Sequence, residues 1–339
     1  MSPKEAEKVI SLENAAIGYK WKSKTEYIVK SAMSVYALKG ELVAVIGENG
    51  VGKSTLLKTI VGFQPPVSGD FRICSKQISS YREKELALLM SFVSTEIIRV
   101  SNLSVFDLVS LGRYPYTNWF GKLLAKDRDL IEEAIIAVGL SGYENRMVNH
   151  LSDGERQKVM IARSLAQNTQ VIVLDEPTAF LDLSNKYEVV HILHRLASEK
   201  GKTILFSTHD LTTAIAESDR IWLMLHDSVE QGAPEDLILN GNFNAIFPNK
   251  NLLFDQEKGD FRIRKQPGRK ASVYGHGLAY NWTIKALIRN NFEVVNSTEN
   301  PNIQINVNFP EWTVMHLSDE TKFHSLLSLC RYLNGLEME

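Results

Sequence analysis

The chain has 339 residues, of which 44% are hydrophobic and 23% charged, so it is long enough for one large and one small soluble domain. Its 38 Lys and Arg residues nearly balance its 40 Asp and Glu residues, and a net charge of −2 gives no general reason to bind nucleic acid. No apolar run reaches the roughly 20 residues that span a bilayer, and the N-terminal segment lacks the apolar core of a secretory signal. We therefore expect a cytosolic chain with no nucleic acid partner.

Short strand-like runs occupy residues 9–46, and the last of them, ELVAVIG, is continuously apolar and ends in glycine. That pattern is typical of a buried parallel strand that leads into a phosphate loop. The pattern turns helical over about residues 80–166, and strand-like runs resume in QVIVLDE, KTILFST and DRIWLML. The alternation predicts an α/β fold, with a parallel sheet wound with helices and interrupted by a helical insert over about residues 80–166.

Near residue 245 the chain becomes rich in Asn, Gly and Pro, which marks a boundary. Beyond it, apolar residues from Ile303 to Phe309 alternate with polar ones as in a half-buried strand, and others recur at helical spacing. This pattern predicts a small C-terminal α+β domain. We therefore expect two domains, residues 1–245 and residues 246–339.

The segment GENGVGKST follows the apolar strand and precedes a predicted helix, which is the context that a G-x-x-x-x-G-K-[ST] phosphate loop requires. Its glycines let backbone N–H groups face phosphate oxygens, Lys53 adds a positive charge, and Ser54 offers a hydroxyl to Mg²⁺. A plain glycine-rich hairpin is the alternative, but it does not explain the flanking strand and helix. The predicted ATP-binding residues here are Gly47, Glu48, Asn49, Gly50, Val51, Gly52, Lys53, Ser54 and Thr55.

Two carboxylates end the apolar strand of VIVLDEP. We expect Asp175 to hold Mg²⁺ through water, together with Ser54, and Glu176 to polarise the attacking water as the catalytic residue. A strand that ends in solvated acids is the alternative, and the phosphate loop upstream disfavours it.

The segment LSDGE begins another predicted helix. Its serine and its glutamate have the spacing of a capping box, which by itself marks only a helix start. The same geometry gives free N–H groups at a helix N-terminus, a site suited to a γ-phosphate, and both interpretations hold together. The residues of this signature segment are Leu151, Ser152, Asp153, Gly154 and Glu155.

These motifs, in this order, resemble those of the ATPase subunits of ABC transporters, and the resemblance covers about residues 9–240. It implies a P-loop NTPase fold of the ABC cassette type, with a parallel-sheet core, an antiparallel β subdomain and a helical subdomain. It also implies a homodimer that hydrolyses ATP with Mg²⁺, in which LSDGE faces the ATP bound by the partner chain. In this family Tyr19 matches the aromatic residue that stacks on adenine, and Asp182 lies in the D-loop that links the two sites. The catalytic residue His209 matches the switch histidine that contacts the γ-phosphate.

Residues 103–121 contain V-x-x-G-R-x-P and resemble the family branch that imports iron chelates (siderophores), haem and cobalamin. That resemblance implies integral membrane permease subunits as partners and, indirectly, a substrate-binding protein. It also places the chain on the cytoplasmic face of the (inner) cell membrane, as a peripheral subunit.

Two features depart from the family pattern. Thr95, followed by Glu96, stands where the family has a glutamine that senses the γ-phosphate and Mg²⁺, so Glu96 or a water substitutes or the sensing is altered. Asp153 and Glu155 bring negative charge near a phosphate, which works against ATP-driven closure, although acidic residues at a helix start also stabilise the helix. Two alternative functions stay open: a soluble ABC-type ATPase, and a nucleotide-dependent switch that is not coupled to transport. The first class usually has two cassettes or a long coiled-coil insertion, and this sequence has neither.

Overall fold

The computed structural model of the chain describes residues 7–20, 26–95, 102–117, 122–247, 251–256, 259–263, 268–295, 301–317 and 319–336. They form two compact units. The first contains the described residues up to 247 and Phe254–Phe261, and the second contains residues 251–253 and the described residues from Arg262 onward. Within the described parts of the chain, no helix is long and apolar enough to cross a membrane.

The strands up to the end of the first unit are β1 Lys8–Lys20, β2 Glu26–Leu38, β3 Leu42–Gly47, β4 Ser68–Ile73, β5 Lys76–Gln77, β6 Met90–Val93, β7 Val171–Leu174, β8 Thr203–Ser207, β9 Arg220–Met224, β10 Val229–Gly232, β11 Leu252–Asp255 and β12 Asp260–Ile263. The α-helices in the same stretch are α1 Lys53–Ile60, α2 Glu83–Leu89, α3 Val105–Ser110, α4 Ala125–Ala137, α5 Asp153–Ala166, α6 Leu183–Lys200, α7 Leu211–Glu217 and α8 Pro234–Leu239. Short 3₁₀ helices lie at Ile78–Ser80, Leu111–Tyr116, Val148–His150 and Asn242–Ala245.

A six-stranded sheet in the order β10-β9-β3-β8-β7-β6 forms the centre of the first unit. All neighbouring strands in it are parallel except the edge pair of β9 and β10. Strands β3, β7 and β8 are buried on both faces, which is why their sequences are almost continuously apolar. Because parallel strands end at the same edge, the loops that follow β3, β7 and β8 meet there.

Strands β2, β1, β4 and β5 form a separate antiparallel sheet in that order, and the stretch from α2 to α5 supplies the helical part of the unit. The predicted α/β fold is confirmed. The prediction of helix across residues 80–166 differs from the structure at β6, because Met90–Val93 pairs with β7 and extends the central sheet. Four residues are too few to show a strand period in the sequence.

A hairpin of β11 and β12 contributes aromatic residues to the first unit. The ring of Phe254 lies 4.8 Å from that of Phe243, and the ring of Phe261 lies 5.1 Å from those of Phe254 and Phe247. Aromatic ring pairs of this kind stabilise the folded protein by more than the burial of their surface area alone. The hairpin therefore belongs partly to the first unit, although it follows the Asn-rich segment of the sequence.

The second unit contains β13 Arg269–Tyr274, α9 Gly277–Arg289, β14 Phe292–Val294, β15 Ile303–Asn308, β16 Glu311–His316, β17 Asp319–Phe323 and α10 Leu326–Gly335. Its sheet has the order β14-β13-β15-β16-β17, with β14 and β15 parallel to β13 and the pairs β15–β16 and β16–β17 antiparallel. Leu287 of α9 and Leu329 of α10 pack with Ile305 in its core. The predicted C-terminal domain of mixed helices and strands is thus present. Phe309 lies beyond the end of β15 and is 74% exposed, so the strand is shorter than predicted.

Candidate active site

The loop between β3 and α1 is shaped by glycine. Gly50 and Gly52 have φ angles of 82° and 107°, which side chains rarely tolerate. A Cβ atom on Gly47 would lie 2.4 Å from the carbonyl oxygen of Met224, so the loop also needs glycine for close approach. The loop curls around Lys53, the first residue of α1, whose Nζ donates hydrogen bonds to the carbonyl oxygens of Gly47 at 2.9 Å and Glu48 at 3.1 Å.

Lys53 is only 6% exposed, and this burial lowers its pKa, while the charges of Glu176 and Asp175 act in the opposite direction. An ammonium group held in this way by backbone carbonyls is poised to exchange them for stronger anionic acceptors. The helix N-terminus behind it adds a positive partial charge. The loop therefore has the geometry and charge of a phosphate-binding loop.

Asp175 follows β7 and is 7% exposed. Its Oδ1 atom accepts hydrogen bonds from the hydroxyls of Ser54 at 3.0 Å and Ser207 at 2.7 Å. The structure thus brings together the two residues that the sequence predicts for Mg²⁺. A carboxylate and a hydroxyl beside a phosphate loop are the oxygen donors that Mg²⁺ prefers, so the residues present fit this ion.

Glu176 and His209 lie side by side at the edge where β7 and β8 end. The Nδ1 atom of His209 is 3.8 Å from Oε2 of Glu176. The backbone of Glu176 has a φ of 47°, and its N–H donates to the hydroxyl of Ser207 at 2.8 Å. This hydrogen bond ties the turn after β7 to Ser207 at the end of β8. A partly exposed carboxylate and imidazole in this position are able to orient a water molecule and accept its proton.

An open cleft of about 810 Å³ lies over these groups. Tyr19 lines this cleft, and the Tyr19 hydroxyl lies 3.1 Å from Oγ1 of Thr55. The structure therefore places Tyr19 beside the phosphate loop, as a stacking residue requires. The residues that line the cleft are Tyr19, Tyr27, Val29, Asn49, Gly50, Val51, Gly52, Lys53, Ser54, Thr55, Glu176, His209 and His226.

Three of these residues, Tyr27, Val29 and His226, were missed from the sequence. Tyr27 pairs directly with Tyr19 across β1 and β2, so it lies on the same face of the antiparallel sheet. Only the register of the two strands reveals this, and an alternating strand gives no such register by itself. His226 lies in the turn between β9 and β10, whose carbonyls accept hydrogen bonds from the buried Lys30. No local pattern marks that turn.

The signature segment Leu151–Glu155 does not line this cleft. It begins α5 as a reciprocal capping box, in which the Glu155 N–H donates to the Ser152 hydroxyl at 3.2 Å and the Ser152 N–H donates to the Glu155 carboxylate at 2.8 Å. Gly154 packs so closely on Asn185 that a Cβ atom would lie 2.4 Å from its side-chain oxygen. The segment is therefore well formed and does not line the cleft, although Asp153 shares a smaller neighbouring pocket with Thr95 and Glu176.

The predicted residues Asp182 and Thr95 also lie outside the cleft lining. Asp182 caps α6 by accepting hydrogen bonds from the N–H of Asn185 at 2.8 Å and from its side-chain amide at 3.0 Å. The Thr95 hydroxyl donates to the backbone carbonyl oxygen of Asp175 at 2.8 Å. Glu96 lies outside the described residues.

A glycine loop between strand and helix, with an acidic pair at the end of a neighbouring parallel strand, defines the class of P-loop nucleotide hydrolases. Comparison with known proteins gives the family. The family model for the ABC transporter domain matches residues 31–179. The model for the iron ABC transporter C-terminal domain matches residues 268–334. The chain belongs to the ATP-binding subunits of ABC transporters, and it is an ATPase of that family.

Individual relatives agree. An uncharacterised ABC transporter ATP-binding protein of Methanocaldococcus jannaschii is 35% identical over 85% of this chain and 98% of its own length. The petrobactin import ATP-binding protein FpuC of Bacillus anthracis is 35% identical over 70% of this chain and 89% of its own. The iron(3+)-hydroxamate import ATP-binding protein FhuC of Bacillus subtilis is 37% identical over 60% and 74%.

Solved structures give the same fold. An inward-facing ABC transporter of the metal-chelate type has a TM-score of 0.62 at 28% identity, covering 75% of this chain and 95% of that one. A dimeric ABC transporter cassette has a TM-score of 0.58 at 27% identity, covering 66% and 98%. The predicted resemblance to the ABC ATPases, and to the relatives of their iron-chelate branch, is confirmed.

Proposed function

We propose that this chain is the ATP-hydrolysing, energy-coupling subunit of an ABC importer for iron chelates (siderophores), haem or cobalamin. The observation that carries the proposal is the placement of Glu176 and His209 beside Lys53 on one open cleft. Relatives named for petrobactin, iron(3+)-hydroxamate and ferric enterobactin support an iron-chelate cargo. The subunit would act on the cytoplasmic face of the (inner) cell membrane with integral membrane permease subunits, and indirectly with a substrate-binding protein.

ATP binding uses the groups already poised in the cleft. The triphosphate takes the place of the Gly47 and Glu48 carbonyls as the partner of Lys53, because a phosphate is the stronger acceptor. Backbone N–H groups of the loop and the start of α1 face the same oxygens. The ring of Tyr19, which lines the cleft, stacks on adenine.

Ser54 and Asp175 would hold Mg²⁺ beside the bound triphosphate. When bound, the ion neutralises charge that builds up on the phosphate oxygens. Ser207 keeps the Asp175 carboxylate oriented through its 2.7 Å hydrogen bond. The roles of these side chains are therefore to position the ion and to keep its carboxylate ligand fixed.

Hydrolysis is assigned to Glu176, which orients the attacking water and accepts its proton. His209 contacts the γ-phosphate, and its 3.8 Å separation from Glu176 places it next to the group that acts on the water. Thr95 is held to the Asp175 backbone and so does not sense the γ-phosphate directly. Either Glu96 or a water substitutes in that role, or the sensing is altered.

A second copy of the chain completes each site. The signature segment lies outside its own cleft, yet it presents a helix N-terminus that suits a phosphate. In a two-fold homodimer, the signature segment of one chain faces the phosphate loop of the other, and Asp182 lies between the two sites. The dimeric cassette among the similar structures supports this arrangement.

The domain assignment follows the sequence, with residues 1–245 as the ATP-binding domain and residues 246–339 as an accessory domain. None of the proposed ATP-site residues lies beyond His209, so a chain that ends after Ile263 is expected to bind ATP with unchanged affinity. That length keeps the aromatic contacts of the β11–β12 hairpin with Phe243 and Phe247. Loss of ATP binding in a folded truncated chain would place the accessory domain inside the nucleotide site.

The direct test of the enzyme is Glu176→Gln. ATP binding should be retained while turnover falls by at least about 100-fold, since the water loses its proton acceptor. Glu235→Gln, at the exposed start of α8, is the matched control and should keep the wild-type rate. Wild-type turnover in Glu176→Gln would overturn the catalytic assignment and favour a nucleotide-dependent switch.

Cargo is tested in cells that lack the gene. Uptake of labelled ferric siderophore, haem and cobalamin is compared with and without the gene restored. Loss of one of these activities, regained with the wild-type gene and not with the Glu176→Gln gene, supports the importer. Unchanged uptake of all three would favour the alternative of a soluble ABC-type ATPase.

A further inference from the structure

We propose that Glu155 is a positioning residue that restrains dimer closure by holding the hydroxyl hydrogen of Ser152, which the partner's nucleotide needs. The inference rests on the proposed function, because it concerns the signature segment as the surface that meets the γ-phosphate of a second copy. It adds a restraint on dimer closure that depends on the acidic residue at the end of LSDGE. It is carried by the hydrogen bonds at the start of α5.

Both donors of Ser152 point at the same carboxylate oxygen. The Ser152 N–H donates to Oε2 of Glu155 at 2.8 Å, and the Ser152 hydroxyl donates to the same atom at 2.9 Å. The Ser152 oxygen in turn accepts from the Glu155 N–H at 3.2 Å. The serine side chain is therefore engaged as donor and as acceptor within its own turn.

The surroundings of the carboxylate keep it ionised. The hydrogen bond from the Ser152 backbone is the largest cause that lowers the pKa of Glu155, and Tyr143 and Arg146 add to it. The guanidinium of Arg146 lies 3.8 Å from the centre of the Tyr143 ring. A group that stays ionised has acceptors and no donor, so it cannot give the serine a hydrogen in return.

A phosphate oxygen is also an acceptor without a donor. A serine hydroxyl has one hydrogen, and it can serve either Glu155 or the partner's γ-phosphate. Closure around ATP must therefore break the 2.9 Å bond before the new one forms. The cost is that of one hydrogen bond to a charged group, and it recurs at each of the two sites of the dimer.

Glutamine at position 155 weakens this competition. Its amide oxygen can take the place of Oε2 and accept from both Ser152 donors, so the start of α5 keeps its cap. A neutral amide oxygen holds the hydroxyl hydrogen less strongly than a carboxylate does, so the variant Glu155→Gln releases that hydrogen to the phosphate more easily.

Two controls separate this mechanism from simpler ones. Asp153→Asn removes one negative charge from the same turn, and Asp153 contacts Arg156 at 3.5 Å rather than Ser152. It measures the effect of charge alone. Asp107→Asn alters an equivalent capping box, because the Ser104 hydroxyl donates to Asp107 at 2.6 Å at the start of α3. It measures the effect of weakening a cap on folding.

The experiment uses the full chain with Glu176→Gln in every sample, so that closed dimers accumulate. The dimer fraction is measured by sedimentation across a range of Mg²⁺-ATP concentrations. Glu155→Gln should lower the ATP concentration of half-maximal dimer formation by about tenfold, the order of the difference between a charge-assisted and a neutral hydrogen bond. Asp153→Asn should shift it by no more than about threefold, and Asp107→Asn should not shift it.

Each other outcome overturns the proposal. An equal shift in Glu155→Gln and Asp153→Asn means that charge, and not the serine hydrogen, opposes closure. If Glu155→Gln melts at the wild-type temperature and the ATP concentration of half-maximal dimer formation is unchanged, the bond to Ser152 does not restrain closure. If the chains bind ATP and none dimerises, the head-to-tail assignment in the proposed function falls together with this inference.

Discussion

The side-chain hydroxyl of Thr95 donates a hydrogen bond of 2.8 Å to the backbone carbonyl oxygen of Asp175. Thr95 is thereby attached to the end of β7, next to the proposed metal site. Its role is to brace the strand end on which Asp175 and Glu176 stand. The contact joins residues 80 positions apart in the sequence.

Replacing Thr95 by valine removes this hydroxyl and keeps the volume of the side chain. Because Thr95 does not line the cleft, we expect the Kd for Mg²⁺-ATP to stay within about twofold, while stability falls by about 1 kcal/mol for the lost hydrogen bond. Calorimetric titration and urea denaturation measure the two quantities. A tenfold loss of ATP affinity would mean that Thr95 reaches the nucleotide after all.

Ser54 should contribute to nucleotide binding mainly through the metal. Its hydroxyl lies 3.0 Å from the Asp175 carboxylate, the position of a shared Mg²⁺ ligand pair. In Ser54→Ala we expect the gain in ATP affinity on adding Mg²⁺ to shrink by on the order of tenfold. In EDTA the variant and the wild type should bind ATP equally, because backbone N–H groups still hold the phosphates. An undiminished Mg²⁺ effect would remove Ser54 from the metal site.

Tyr19 should contribute to the affinity for ligands that carry a nucleobase and not to the affinity for ligands without one. Tyr19→Ala is expected to weaken ATP binding by about tenfold through lost stacking, and to leave tripolyphosphate binding unchanged. Tyr19→Phe is the matched control, since it keeps the ring and loses only the hydroxyl near Thr55. Equal weakening for both ligands would indicate damage to the phosphate loop rather than a missing base contact.

The ion pair of Arg113 and Asp127 should be the most sensitive polar contact of the helical part. Arg113 Nε donates to Asp127 at 2.9 Å, and both side chains are less than one-tenth exposed. Asp127→Asn leaves the Arg113 charge buried beside a neutral group, so we expect a loss of about 3 kcal/mol in unfolding free energy at pH 7. Urea denaturation measures it, and a loss below about 1 kcal/mol would contradict the role of the pair.

The pH dependence of the stability that this ion pair contributes follows from the direction of the Asp127 pKa shift. Hydrogen bonding from the Leu124 backbone is the largest cause that lowers the pKa of Asp127, with Arg113 adding to it. Because the folded pKa lies below the unfolded value of about 3.9, the stabilisation is present above about pH 4 and is lost as the pH falls through the folded pKa. The gap between the wild type and Asp127→Asn should therefore narrow below about pH 4 and stay constant near neutrality.

Contiguous motifs were predictable from the sequence because their geometry is local. The loop around Lys53, the acidic end of β7 and the capping box of Ser152 each depend on residues a few positions apart. Their convergence was also predictable, since parallel strands end at one edge.

Features that depend on strand register or on distant packing were not predictable. The pairing of Tyr27 with Tyr19 needs the register of β1 and β2, and the position of His226 depends on buried Lys30 in another strand. Phe254 and Phe261 make their aromatic contacts within a segment whose composition predicts a linker. No local period encodes such contacts.

The central claim is that two chains share each ATP site head to tail, and one mixing experiment tests it most directly. Ser152→Arg blocks the signature segment, and Lys53→Ala empties the phosphate loop, so each homodimer should be inactive. In an equimolar mixture the heterodimer has one site with both halves intact, and we predict about one quarter of wild-type ATPase activity. No activity in a mixture whose heterodimers are demonstrated would contradict the claim.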